Sequence, residues 1–511
     1  MPLAALLLVA TASAAASGGA YTLPIRAAAT DEHSPDPAVR FAWFREEAYR
    51  ARLKYADVLG LDKASIMASP KRAKRAEELK NWGSSYSVPI EIGTPPQTFD
   101  AFVDTGSTDM WVVTACKDPW ECGMSKAFVP SESSTYEGTG RAFSISYVKG
   151  ETRGEWANDT VGVGGTSFPL LFGVADQVTE WRTEQSALMG FAFTKLSQEA
   201  ATPWWLTASE TWPEKRWGMY LARTANWTDA IWRPDPQGGQ LTFGGIDKSK
   251  MAAEPTYFNL LDERPVHWTV PSRGLGLNGQ VVNGKLVAAT TDSGTSLILG
   301  PDADVREFYN ALDHTGSAIR FPDGSFAFQC GPDITANASF SFVQRNGPGY
   351  DAPQLFNMWD GDLVFWSGTL RDLKALGVTI PSVYRDQVRY CLGNIVGWDD
   401  PSITDYWLVG SPFLRNVYSI YETDPVRHGL APLTPEADVR YGESFNPIQA
   451  GSGGDGLPGG PHDPSVGGGN SSGVVSSTPI SSTVPTQSIA AAGRAPMSAL
   501  AVVCAALALV L

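Results

Sequence analysis

Cysteine and histidine are scarce, with five of each in 511 residues. Neither type clusters at zinc-ligand spacing, so no metal is expected, and five cysteines are too few to frame a disulfide-built miniature fold. His33, His267, His314, His428 and His462 are scattered, and none sits in a recognisable triad or metal motif. Positive charge is also in short supply: 39 Lys and Arg face 54 Asp and Glu, a net charge of -15, which argues against a polyanionic partner such as nucleic acid. No Gly-rich phosphate loop follows a strand pattern, and no cofactor is expected. What is present is aromatic. Phe, Trp and Tyr make up 11 % of the chain, enough for most of it to fold around buried rings rather than stay disordered.

The charge is unevenly divided. Residues 21–80 hold 12 Lys/Arg and 9 Asp/Glu, while the other 451 carry 27 against 45. The first 18 residues read as a signal peptide, an apolar run followed by Ala12-Ser13-Ala14, with a buried helix as the competing reading. Residues 19–75 read as a basic pro-segment, with a helix over 41–54 and dibasic cleavage sites in Lys71-Arg72-Ala73-Lys74-Arg75; a solvated charged helix is the alternative. From 76 to 447 short alternating apolar runs are punctuated by Gly, Pro, Asn and Asp, the mark of a β-dominated body. Helices are expected only over 302–311 and near 370–375.

After residue 447 the composition turns to Gly, Ser, Thr and Pro up to 496, a stalk that cannot bury a core. Residues 497–511 form a flush apolar tail, shorter than the ~20 residues of a spanning helix. Stalk and tail together match a signal for glycosylphosphatidylinositol attachment near Ser481-Ser482-Thr483 or within 470–473; a tail anchor is the competing reading. Asn158, Asn226, Asn337 and Asn470 open glycosylation sequons. In an oxidising compartment the four body cysteines should pair. Of three possible pairings, Cys116–Cys122 and Cys330–Cys391 keep each bridge within one half of the body, and Cys504 is lost with the tail.

Two segments carry the chemistry: Ala101-Phe-Val-Asp104-Thr105-Gly106-Ser107-Thr108 and Ala289-Thr-Thr-Asp292-Ser293-Gly294-Thr295-Ser296. Each is an apolar strand delivering an Asp into a tight turn. One Asp-Thr-Gly is ordinary turn chemistry; two, 188 residues apart behind similar strands, point to a duplicated half. If the halves pack about a pseudo-twofold axis, Asp104 and Asp292 meet, and carboxyls that close cannot both ionise. The ionised one then takes a proton from a water while the other donates to a substrate carbonyl. Gly106 and Gly294 admit backbone N–H groups to the carboxylates, Thr105 and Ser293 hold the loops in register, and Ser107 and Thr295 bond the outer oxygens.

The body resembles the pepsin-like aspartic endopeptidases, family A1. The resemblance runs over about 86–422 and rests on Ile92-Gly-Thr-Pro-Pro-Gln-Thr-Phe99, Asp104 to Ser107, Trp111-Val112, Leu241-Thr-Phe-Gly-Gly-Ile-Asp247, Trp268, Asp292 to Ser296 and Trp407-Leu-Val-Gly-Ser-Pro-Phe-Leu414. Leu188-Met189-Gly190 and Leu408-Val409-Gly410 match the segments that pass behind each catalytic loop. The resemblance implies an all-β, bilobal fold with a cleft between β-barrel-like lobes, here 76–265 and 266–447. It implies hydrolysis of protein and peptide substrates at acidic pH, inhibition by pepstatin, a monomer, and synthesis as a zymogen whose leader presents Lys54 or Lys63 to the dyad. The stalk and tail make it similar to fungal secreted or cell-surface members.

It also implies a flap, a hairpin over the cleft fitting Phe143-Ser-Ile-Ser-Tyr147, Gly150, Gly154 and Asp159-Thr160-Val161, with Tyr147, Val148, Lys149 and Gly150 at the tip and Tyr147 bonded to the Trp111 indole. Lys149 should then disfavour basic side chains next to the scissile bond. Ser411 stands where many relatives have Asp, and Thr291 where an aliphatic residue usually precedes the second Asp. The Trp-rich stretch 202–217 matches no family motif and reads as an inserted surface loop. The rival function is an inactive pepsin-like binding protein or cell-wall glycoprotein, which would lack an intact Asp or loop Gly.

Overall fold

In the strand Gln97–Asp104, Phe99, Ala101 and Val103 are buried while Thr98, Asp100 and Phe102 are at least partly exposed, the two-residue period of a half-buried strand. Repetition of that pattern builds the molecule, a computed structural model that describes residues 20–28, 37–68, 85–114, 126–146, 151–178, 185–223, 235–313, 318–330, 337–346, 349–375 and 389–439. In the first half the strands Ser85–Ile92, Gln97–Asp104, Ala187–Gly190, Trp111–Val113, Thr166–Val178 and Glu151–Val163 lie side by side. The last pairs back to the first, Glu91 opposite Gly162 and Ile92 opposite Val161, which closes a barrel. Glu137–Ser146 extends it as a hairpin with Glu151–Val163, Ser146 opposite Glu151.

The second half divides its strands between an eight-stranded sheet, which includes Thr269–Leu277, Val287–Thr291 and Tyr406–Val409, and a four-stranded one. The fold is all-β and bilobal. The expected helices form, as Asp302–Leu312 and Leu370–Ala375. Cys330 and Cys391 form a disulfide, their Cα atoms 5.6 Å apart, tying the end of Phe326–Gln329 to Arg389–Gly393.

Near its end the chain crosses back. Val417–Thr423 pairs with Arg216–Leu221, and Val426–Pro432 follows it, so residues assigned by sequence to the second lobe complete a 13-stranded sheet begun by the first. The basic leader is built in as well: Tyr21–Ala28 lies inside this sheet, between Asp235–Phe243 and Ser85–Ile92. Beyond it, helix α1 (Pro37–Lys54) buries Phe41, Phe44, Ala48 and Ala51, followed by Tyr55. That three- and four-residue spacing is the apolar stripe of a helix. The stripe packs on Leu297, Phe321, Phe365, Trp398 and Tyr406 of the second half.

The stretch 202–217 is not a surface loop. It contains the helix Trp204–Ser209, and Trp204, Trp205, Trp212 and Trp217 are all buried. The Trp204 and Trp205 indoles donate to the Val161 and Ala192 carbonyls at 3.2 and 3.0 Å, so each ring is buried with its polar edge satisfied. Asn158 and Asn337 are described, Asn337 exposed and Asn158 half-buried. Tyr147, Val148, Lys149, Gly150, the Cys116–Cys122 pair, Asn226, Asn470, the dibasic sites, the signal peptide and everything from 440 onward lie outside the described residues.

Candidate active site

Each Asp-containing loop is set by a parallel strand pair. Gln97–Asp104 runs beside Ala187–Gly190, Asp104 level with Gly190; Val287–Thr291 runs beside Tyr406–Val409, Thr291 level with Val409. The chain then turns sharply, and each carboxylate is gripped by its own loop. Gly106 N and Gly294 N donate to Asp104 Oδ1 and Asp292 Oδ1 at 3.0 and 2.9 Å. Ser107 Oγ and Thr295 Oγ1 donate to the other oxygens, both at 2.6 Å.

The loops also grip each other. Thr105 N donates to Ser293 Oγ at 3.1 Å and Ser293 N to Thr105 Oγ1 at 2.9 Å. The two hydroxyls pass their protons across, Thr105 to the Thr291 carbonyl and Ser293 to the Val103 carbonyl, at 3.1 and 2.7 Å. Every bond has a counterpart under exchange of halves. All four residues are buried, and such a fully satisfied network is rigid.

Between the carboxylates sits a cation from the leader. Lys54 Nζ donates to Asp104 Oδ1 at 2.7 Å and to Asp292 Oδ2 at 2.9 Å. Its side chain is 26 % exposed, yet three carboxylate oxygens lie within 3.1 Å of the ammonium. Burial alone would lower its pKa; the two carboxylates outweigh burial and hold it above the ordinary value. Tyr55, the next residue, donates its hydroxyl to Asp292 Oδ2 at 3.0 Å. Lys63, the other lysine expected to reach the dyad, is exposed and pairs with Asp57 instead.

The environment makes the two acids unequal. Burial raises Asp104, against the opposing pull of Lys54 and with the repulsion of Asp292. Burial also acts to raise Asp292, but Lys54 and the Thr295 hydroxyl overcome it and bring it down to about 2. The pair therefore takes its first proton at Asp104 and keeps its charge at Asp292.

Three neighbours were not legible in the sequence. Tyr55 stands in the leader with no motif around it. The His267 ring lies 5.1 Å from the Tyr55 ring and is held down to about 4 by burial, with Asp292 opposing and Lys54 reinforcing. His428 is fully buried and stacked on Tyr421; its Nε2 is 3.2 Å from Thr291 Oγ1 and its Nδ1 2.9 Å from the Ile420 carbonyl. Thr291, unusual before the second Asp, thus has a polar partner behind the loop. Ser411 is also buried, its N–H on the Thr295 carbonyl at 2.8 Å. Trp111 is fully buried against Phe143 and Trp156 at the base of the hairpin.

Paired Asp loops on a duplicated β frame are the architecture of an aspartic peptidase, and similarity to known proteins agrees. The model of the eukaryotic aspartyl protease family matches residues 85–355. The chain is 28 % identical over 458 residues to major aspartyl peptidase 1 of Cryptococcus neoformans var. grubii, covering 82 % of this chain and 86 % of that protein. Pepsin A of Rhinolophus ferrumequinum is 27 % identical, covering 72 % of this chain and 85 % of its own. An aspartic protease of Phaffia rhodozyma is 26 % identical, covering 82 % and 93 %. The chain belongs to the eukaryotic aspartyl protease family. It is an aspartic-type endopeptidase.

Proposed function

We propose that the protein is a secreted endopeptidase made in latent form, with Lys54 as the plug of its own active site. The observation that carries this is the Lys54 ammonium within 2.9 Å of an oxygen of both Asp104 and Asp292. An ammonium there lets both acids ionise, by offsetting their mutual repulsion, and holds the position an attacking water needs. Once residues 19–75 leave, Asp292 and Asp104 share one proton. The ionised carboxyl takes a proton from water, the protonated one donates to the carbonyl oxygen of the scissile bond, the hydroxide adds to the carbonyl carbon, and a gem-diol forms with no covalent enzyme intermediate. The rigid loop network keeps the two carboxyls in place, so little rearrangement is needed at the moment of reaction. Acid favours release because protonation of Asp104 removes one of the two charges that hold Lys54.

The signal-like first 18 residues support secretion, and the stalk and tail of 448–511 support a glycolipid anchor at the cell surface. Release by a phosphatidylinositol-specific phospholipase tests the anchor. For the activity, the secreted full chain is incubated with denatured haemoglobin or casein at neutral and at acid pH, with and without pepstatin. Activity is expected only after acid treatment, and pepstatin abolishes it. Lys54→Ala shortens the lag before activity, whereas Asp292→Asn or Asp104→Asn secretes normally but loses on the order of 10³-fold or more in turnover. Substantial turnover in either Asn variant overturns the role of the dyad, and none in the acid-treated wild type overturns the reading in favour of an inactive binding protein.

A further inference from the structure

The leader fills a second site besides the dyad, and the group it places there is a guanidinium. Arg52 is 9 % exposed. Its Nη2 donates to the carbonyls of Asp323 and Gly397 at 2.6 and 2.8 Å. Gly324 closes the floor with a φ of +81°, and a Cβ there would lie 2.8 Å from Arg52 Nη2 and 2.4 Å from the Gly397 carbonyl oxygen. The cradle therefore needs glycine. Around it stand the carboxylates of Asp399, Asp323 and Asp302, with Arg320 as the nearby countercharge. Arg320 bonds Asp302 and Asp399, and Arg306 reaches Asp302 at 3.7 Å from the surface. The cation on Asp323 Oδ2 is Arg45, at 2.8 Å, and it too belongs to the leader.

Departure of the leader thus strips this wall of two guanidiniums at once. Asp323 loses its countercharge, and two buried carbonyls lose their donor, which is costly until another donor arrives. One guanidinium nitrogen, Nη2, meets both carbonyls at once, and its charge lies among the Asp399, Asp323 and Asp302 carboxylates; a guanidinium, more weakly hydrated than an ammonium, bears such burial at less cost. The site adjoins the chemistry: Tyr55, which donates to Asp292 Oδ2, packs in one cluster with Phe321 and Trp398, close in the chain to Asp323 and Gly397.

We propose that Asp323, Gly324, Gly397 and Asp399 form an arginine subsite on the second-half wall of the active-site cleft, filled by Arg52 in the latent chain and by an arginine of the substrate peptide after release. The proposal rests on the latent-protease reading above, and its test separates the two. In the full-length chain, Arg52→Ala lowers the Tm. Millimolar methylguanidinium restores a substantial part of the loss, and equimolar methylammonium does not. This arm needs no activity, and absence of selective rescue overturns the pocket. In the acid-activated enzyme, one arginine is walked along an otherwise neutral peptide, each position compared with the neutral isostere citrulline. At one position kcat/KM for arginine exceeds that for citrulline by roughly tenfold, the scale of a charge-assisted contact, and Asp323→Asn brings the ratio toward one. A ratio of one at every position, in an enzyme that cuts the neutral peptide, overturns the subsite. An enzyme that cuts no peptide overturns the proposed function instead, and the rescue arm still decides the pocket.

Discussion

A methyl group placed on Gly294 would lie 2.3 Å from Asp104 Oδ1, and one on Gly106 would lie 2.5 Å from Asp292 Cγ. The loop glycines therefore do more than admit an N–H to their own carboxylate: each leaves room for the acid of the opposite half. Gly294→Ala must push the acids apart, and displacement by an ångström costs about 10²-fold in rate. Kinetics of the activated variant, with a Tm to verify folding, check this; activity within a few-fold of wild type would contradict it. The pattern Asp-Thr/Ser-Gly-Ser/Thr made this much of the site legible, because each residue type has one role that the turn requires. It left Lys54 and Lys63 equivalent. Both are leader lysines, and only the packing of α1 decides which reaches the carboxylates. Tyr55 and His267 were illegible for the same reason, since neither has a local motif and both act through neighbours distant in sequence.

Elements built on local alternation were readable, and those that depend on distant partners were not. The strand leading to Asp104 and the helix over 41–54 follow from periodicity alone. The strand Tyr21–Ala28 does not, because what makes it a strand is the pairing of Tyr21 with Phe243 and of Arg26 with Ser87. Residues 202–217 misled because four tryptophans without a family motif resemble an insertion, while their burial shows them to be core. Trp205 is fully buried and packs 5.5 Å from Trp268 and 5.6 Å from Phe193, ring to ring. Trp205→Ala should cost about 3–5 kcal/mol of stability, measured by denaturant unfolding, where a surface loop would lose almost nothing. On α1, the fully buried Phe44 lies 4.7 Å from Phe365. Phe44→Ala removes about 3 kcal/mol or more of the leader's hold without touching the dyad. The time course of acid activation should show a shorter lag and an unchanged final rate.

Across the whole molecule, acidity acts on stability through two buried imidazoles. Burial is the main cause that holds His267 and His428 down to about 4, from an ordinary 6.5. An unfolded chain takes up both protons near pH 6.5, and the folded one refuses them until about pH 4. Their contribution to stability is therefore complete above pH 6.5, falls as the pH drops through that window, and falls no further below it. His428→Gln removes one such proton, so the Tm difference between wild type and variant should shift against the wild type between about pH 6.5 and about pH 4. A difference independent of pH would mean that His428 is already charged in the folded state.

The return of the chain to the first sheet has a consequence for biosynthesis. Arg216 and Glu422 face each other in neighbouring strands although 206 residues separate them. At a translation rate of roughly 5–20 residues per second, the nascent chain carries Arg216–Leu221 as a bare strand edge for roughly 10–40 s before its partner emerges. An unpaired edge recruits other strands. The leader strand is made first and can already cover the far side of Asp235–Phe243, so the interval of greatest exposure to wrong partners falls late, on the ribosome, and ends only when the last strands are threaded home.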